Sequence, residues 1–327
     1  MISLETRTEL KSIGRHVLAV MLIFSFAAAI FLSLMITVPF MRSIYDEVLA
    51  LAAEGQAIET DALADKLMVY ISENEDLVRK CTYIASALCS LLGALVFLRP
   101  LRKAGHTIRS LYQKEAFSWS SLGLAILAAV GISYVSSLVV LVTEWLYNHF
   151  GLTVLLPEAV PDNSLAALVY ALLIAPFMEE FIFRGGILKL IRPKGERFAL
   201  MASAICFAAF HGNLHQIPGT FLLGLWLGYL TIKTDSLLLP TLTHIGYNGF
   251  ATLASLIPEQ YASVFTLIMA VGIVGGLWAC RKLMHHMGPA PEQTTPPDVR
   301  AAFYFSLPMM LFWGFCLFSI VQSIASF

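Results

Sequence analysis

Met178-Glu179-Glu180-Phe181-Ile182-Phe183-Arg184 is the stretch on which the reading of this chain turns. It lies in an otherwise apolar run from Leu165 to Ile191, long enough to cross a bilayer, for which about 20 residues suffice. Two carboxylates and a guanidinium therefore fall where hydrocarbon is expected. Inserting one ionisable residue near the centre of a span costs about 2.5–3.5 kcal/mol, so such groups are kept with partners or for a purpose.

The rest of the chain agrees with a membrane setting. Of 327 residues, 58% are hydrophobic and only 13% charged, where soluble domains carry about a quarter, and mean hydropathy is +0.75. The fold class is all-α, a polytopic transmembrane helical bundle. Net charge is −1 with no basic patch, so no nucleic-acid partner is implied. The five cysteines form no CxxC cluster, which argues against a disulfide frame or a thiolate zinc site.

Working outward from the central run, apolar stretches occur near residues 17–40, 82–98, 119–142, 165–190, 217–232, 237–257, 261–280 and 302–325, and a shorter one at 198–211 makes nine. The first is too long for a signal-peptide core and reads as a retained signal anchor. Simple alternation puts Arg7, Lys11, Arg15, Arg99, Arg102, Lys103, Arg109, Lys114, Lys189, Arg192, Lys194, Arg197, Lys233, Arg281, Lys282 and Arg300 on one side. The opposite side collects Asp46, Glu47, Glu54, Glu59, Asp61, Asp65, Glu73, Glu75, Asp76, Glu144, Glu158, Asp162 and Glu259. The positive-inside rule then makes the N-terminus cytoplasmic. Residues 43–80 read as an external loop with two short interfacial helices, and 281–301, rich in proline, as a cytoplasmic linker. Three regions follow: N-terminal spans over 1–159, a catalytic core over 160–260, and C-terminal spans over 261–327. Gly224 and Gly228 form a GxxxG pair suited to helix packing.

Polar residues break the second half at a few places: Glu179, Glu180 and Arg184; His211, Asn213 and His215; Thr241, Thr243 and His244; and Asn248. At ~1.5 Å of rise per residue, Glu179 lies about 15 Å from the cytoplasmic end of its helix, His211 about 20 Å deep and His244 about 10 Å deep. Three spans thus bring polar groups near one level. Glu180 and Arg184 are four apart, in the better order for an ion pair. Glu179 points about 100° away on a regular α-helix, which makes Glu180 and Arg184 the scaffold and Glu179 the working carboxylate. Pro218 and Gly219 indicate a helix that ends inside the membrane, tolerated only where backbone lines protein or water. A carboxylate, two histidines and an amide in such a cavity suit hydrolysis. Glu179 takes a proton from water, a histidine holds that water or returns the proton to the leaving amine, and His244 with Asn248 donates to the oxyanion. The alternative is a divalent metal such as zinc on Glu179, His211 and His244, although HExxH is absent; the metal-free reading is placed first. His215 has no assigned role.

EExxxR at Glu179, Glu180 and Arg184, FxxxH at Phe207 and His211, and HxxxN at His244 and Asn248, in that order on successive helices, resemble the CPBP family of intramembrane proteases. That family includes CAAX prenyl proteases of the Rce1 type and bacteriocin-processing or immunity proteins (the Abi group). The resemblance covers about residues 160–260. It implies a bundle of eight or so helices around a conical cavity open to cytoplasm and lipid, with Glu179 and His211 activating water, His244 and Asn248 forming the oxyanion hole, and Glu180 and Arg184 structural. The family has been described both as metal-dependent and as using a glutamate mechanism. The expected substrate is a membrane-associated protein or peptide, not a prenylated one, and the short loops point to the bacterial inner membrane. A catalytically silent scaffold or regulator of a sensor kinase or secretion system is the alternative; a proton-relay transporter would show inverted repeats, and none is seen.

Overall fold

Each apolar run of the sequence is helical in the computed structural model, which describes residues 2–56, 59–114, 117–154, 164–291, 294–322 and 324–326. Glu158 and Asp162, read above as outer-side acids, lie outside the described residues. The helices are α1 (Leu4–Ser43), α2 (Tyr45–Ala53), α3 (Thr60–Glu73), α4 (Glu75–Lys103), α5 (Trp119–His149), α6 (Leu165–Lys194), α7 (Glu196–Phe210), α8 (Ile217–Thr234), α9 (Leu238–Ser255), α10 (Ala262–Met287), α11 (Pro297–Tyr304) and α12 (Leu307–Gln322). A three-residue ribbon, Leu152–Val154 antiparallel to Ile324–Ser326, is the β structure among the described residues.

The two helices expected within 43–80 are α2 and α3, joined by a Lys66–Glu47 contact of 2.9 Å. Two boundaries change. The expected linker 281–301 is shorter, because α10 runs on through Arg281 to Met287 and α11 begins at Pro297, whose fixed φ suits a first helical position. The last apolar run is not straight: α11 and α12 meet at 61°. Among the described residues, five helices are long and apolar enough to cross a membrane, or six with the bent pair taken as one span. α7, α8 and α9 are not among them, although all three are helices at the expected places. α7, at 15 residues, is too short to cross alone.

One end of the bundle is tied together by its charges. Lys194 Nζ meets Glu9 of α1 at 2.6 Å. Asp235, in the turn between α8 and α9, receives Lys189 Nζ at 2.7 Å and Arg192 Nη1 at 2.6 Å. Beside it Ser236 Oγ donates to Gln113 O at 2.8 Å, and the Leu237 N–H to Leu111 O at 2.7 Å. Thr295 Oγ1 donates to Lys194 O at 3.0 Å. The N-terminal part of α1, the loop before α5, the α6–α7 junction, the α8–α9 turn and the linker therefore share one face of the molecule. Two apolar cores lie beyond it. One packs Leu10, Val17, Phe97, Ile187, Leu188 and Phe312, and the other Ala128, Ala129, Trp226, Leu227, Leu230 and Ala279.

Lipid tails are as apolar as leucine, so helices in a bilayer associate through close packing at small residues. Gly224 and Gly228 do this as the sequence indicated: a Cβ at Gly228 would stand 2.6 Å from Leu200, and one at Gly224 3.1 Å from the backbone of Ala204. A closer approach, which the spacing did not reveal, joins α5 to α10. There a Cβ on Gly131 would sit 2.6 Å from Gly276 Cα.

Gly131→Val should separate α5 from α10 and lower the unfolding free energy by about 1–3 kcal/mol, the usual cost of overpacking. Gly123→Ala on the same helix, with nothing within 4 Å, should leave the thermal midpoint in detergent close to wild type. Burial pushes the Asp235 carboxyl up, but the hydrogen bond and charge of Lys189, with the charge of Arg192, hold it below its ordinary value of 3.8. The stability this supplies is complete above the ordinary carboxylate range and is lost as pH falls through the depressed folded value. Unfolding midpoints measured from neutral to acid pH should converge for wild type and Asp235→Asn at the acid end.

Candidate active site

α6 is the element that positions the carboxylates, and it is not a regular α-helix. Ser164 caps its start by accepting from the Ala167 N–H. Its hydrogen-bond pattern then widens to π-helical turns at Tyr170–Ile174 and again over Glu180–Leu188, with one α-helical turn, Ala175–Glu179, between them. Wide turns of this type concentrate at functional sites because they re-aim side chains that an α-helix would fan apart. Here they bring the two adjacent glutamates to opposite sides of one imidazole. Glu180 Oε1 accepts from His244 Nδ1 at 2.9 Å, and Glu179 Oε2 stands 3.8 Å from His244 Nε2. The regular-helix argument had aimed Glu179 away from Arg184, and the ion pair of Arg184 is with Glu180.

Glu180 also meets Arg184 Nη1 at 3.0 Å, with both side chains fully buried. Arg184 Nη2 donates to Gly224 O at 3.3 Å, and the guanidinium carbon lies 4.4 Å from the centre of the Phe207 ring. The assignment of Glu180 and Arg184 to structure therefore gains a third member: the scaffold includes His244, whose ring the pair orients.

His211 follows the last turn of α7. Its Nδ1 lies 2.8 Å from Phe207 O. A carbonyl can only accept, so this nitrogen carries a hydrogen. Gly212 takes φ +60 immediately afterwards, which turns the chain out of the helix, and a Cβ there would come 2.9 Å from Ser319. Asn213 Oδ1 accepts from the His215 N–H at 2.9 Å and holds the turn. The Phe207 ring packs edge-on against both histidines, with centroids 4.9 Å from His211 and 6.0 Å from His244. Asn248, one turn beyond His244 on α9, donates one Nδ2 hydrogen to Ala171 O at 2.8 Å and retains the other.

Glu179, His211, His244 and Asn248 all line one cavity of about 520 Å³, with Phe207 in its wall. Glu180 and Arg184 lie behind that wall. Of the two carboxylates, Glu179 is the one solvent reaches, at 24% exposure against 0%. The far wall comes from α5, which the motif reading did not include: Ser136, Ser137 and Glu144 face the cavity. Glu144 Oε1 lies 3.1 Å from His215 Nδ1, so the histidine without an assigned role stands beside a carboxylate. The polar cluster Ser133, Ser136 and Ser137 in an otherwise apolar helix is the sequence signal that marks this wall.

The donor types Glu179, His211 and His244 are those of a zinc site, and each histidine has its Nδ1 engaged and its Nε2 spare, as ligands do. Their placement does not follow. Among the described residues no group of three His, Cys, Asp or Glu converges closely enough to hold a metal ion.

The class these observations define is a helical membrane protein with a polar cavity inside the bundle. Residues 161–250, well under half of the chain, match the family model described as type II CAAX prenyl endopeptidase Rce1-like, and over that segment the chain is similar to it. The match contains all three motifs and stops two residues beyond Asn248. No curated protein matches the chain, and no solved structure does.

Arg184→Met should lower the unfolding free energy by about 3 kcal/mol, the order expected when a buried ion loses its partner. Glu180→Gln/Arg184→Met together should cost less than Arg184→Met alone, because the uncompensated charge is then gone. Chemical unfolding in detergent measures both, and equal losses would show that charge pairing is not what the site depends on.

Proposed function

We propose that this chain is an intramembrane endopeptidase that hydrolyses a peptide bond in a membrane-associated protein or peptide, with Glu179 as the general base. What supports it is a single juxtaposition: one acid, two imidazoles and one amide from three helices on the wall of one cavity. Glu179 takes a proton from water as the oxygen attacks the scissile carbonyl, and His211, through its unprotonated Nε2, accepts a hydrogen bond that orients the water. The tetrahedral oxyanion is held by the spare Asn248 N–H and by His244 Nε2. The proton on Glu179 then passes to the leaving amine as the C–N bond breaks. Cavity chemistry of this type favours the peptidase over the silent scaffold, since a scaffold has no need of a solvent-reached carboxylate beside a buried one. The setting proposed is the bacterial inner membrane with the N-terminus cytoplasmic, in accord with basic residues gathered at one end of the bundle.

Glu179→Gln should abolish cleavage of a membrane-peptide substrate, with insertion and thermal midpoint unchanged. His211→Ala should lower kcat by about 10²–10⁴, the range for loss of an acid–base partner. Asn248→Ala should lower it by about 10²–10³, the cost of one oxyanion donor. Wild-type cleavage by Glu179→Gln protein would overturn the assignment. Chelator titration on the same assay separates glutamate catalysis from metal catalysis: undiminished activity is the expected result, and a loss restored by zinc reverses it.

A further inference from the structure

The cavity has a floor and a mouth, and they lie at opposite ends of the bundle. Its floor is closed by Phe207 and His244, with Glu180 and Arg184 behind them, each no more than 4% exposed. Beneath that floor are Lys189, Arg192 and Asp235, the basic end. Its mouth is bounded by Glu144 and His215, each about one third exposed, and by exposed Gln216.

Helix lengths place the mouth. α5 leaves the basic end at Trp119, just after the Leu111 and Gln113 carbonyls that bind the α8–α9 turn. Glu144 lies about 38 Å further along that helix at ~1.5 Å per residue, near its far end. α7 rises from Glu196 at the basic end to His211, about 22 Å away. From Gln216, α8 descends about 27 Å back to Thr234 and the basic end. The irregular stretch 211–216 between them therefore sits toward the far interface, where water reaches backbone groups that hydrocarbon would leave unsatisfied. The Glu144–His215 contact joins the two walls at that level.

We infer that the active-site cavity opens at the face of the membrane opposite the basic end, so that the substrate enters from the non-cytoplasmic side. The substrate class is then a membrane-anchored or translocated peptide whose scissile bond is presented from the outer interface. This departs from the cytoplasmic opening that the family resemblance implies. It rests on the proposed orientation and on the reading of this cavity as a peptidase site, but its test uses no cleavage.

Single cysteines are introduced as Gln216→Cys and Glu144→Cys at the mouth and as Lys103→Cys at the basic end. Each is reacted with a membrane-impermeant sulfonated maleimide in intact cells and in inverted membrane vesicles. Four of the five native cysteines are buried, so the wild-type chain serves as the blank. Expected is labelling several-fold above that blank for both mouth variants in intact cells, and for Lys103→Cys in inverted vesicles alone. If mouth and basic-end cysteines react from the same side, or if neither mouth cysteine reacts from either side, the far-side opening is wrong. If the two ends label from opposite sides but reversed, the orientation fails and the mouth faces the cytoplasm, which also overturns the inference. Two mouth variants guard against one failing to fold. Loss of cleavage in Glu179→Gln is scored separately, so failure of the peptidase reading is distinguishable from failure of the sidedness.

Discussion

The contact on which the rest depends is the fully buried pair of Glu180 and Arg184, with His244 as its third member. At an effective dielectric of about 20, two unit charges 3.0 Å apart attract by about 5–6 kcal/mol. Removing each ion from water takes back several kcal/mol. The pair is therefore close to break-even by itself, and what makes it tolerable is the shell around it: the Gly224 carbonyl on Arg184, the Phe207 ring over the guanidinium, and the His244 N–H on Glu180. Each shell member comes from a different helix. α6, α7, α8 and α9 are thereby locked in register around one carboxylate, and none can shift without exposing a charge to hydrocarbon.

That lock explains why the groups proposed to react can be precise although two of them sit next to irregular backbone. Glu179 is the covalent neighbour of Glu180, so fixing Glu180 leaves it little freedom beyond its own χ angles. His244 has its ring plane set through Nδ1. His211 hangs from the Phe207 carbonyl, and Phe207 is itself pinned under Arg184. The widened turns of α6 contribute by giving adjacent glutamates different depths: one against the guanidinium without exposure, the other at the cavity surface. A regular helix would have sent them to separate faces.

Much of this was legible in the residues. Apolar runs gave helices at the places where they lie, although α1, α4 and α5 extend well past the runs that marked them, and the spacing of Glu180 and Arg184 gave their ion pair. Rough depth counting brought Glu179, His211 and His244 toward one level, and they do line one cavity. Three things were not legible, for physical reasons. π-helical turns leave no composition signature, since they depend on how a whole helix is packed. The α5 wall with Glu144 was hidden because serines and one distant carboxylate in an apolar helix look like an interface, and only tertiary packing turns them inward. The division of the last span into α11 and α12, bent by 61°, is invisible to a hydropathy window, which averages over the Phe305–Ser306 break.

The two histidines of the cavity carry the same ring and face the same space, yet what binds each Nδ1 fits them for different work. His211 is held by a carbonyl, a neutral acceptor, and its ring lines the cavity. His244 is held by a carboxylate and has a second carboxylate, Glu179, on its other nitrogen. His244 therefore lies between two carboxylates, one of them already paired with Arg184. As proposed above, it donates from Nε2 to the developing oxyanion, while His211 accepts from the attacking water. In the proposed reaction the buried ion pair is thus more than a brace: by supplying the carboxylate behind His244 it separates the donor histidine from the acceptor one.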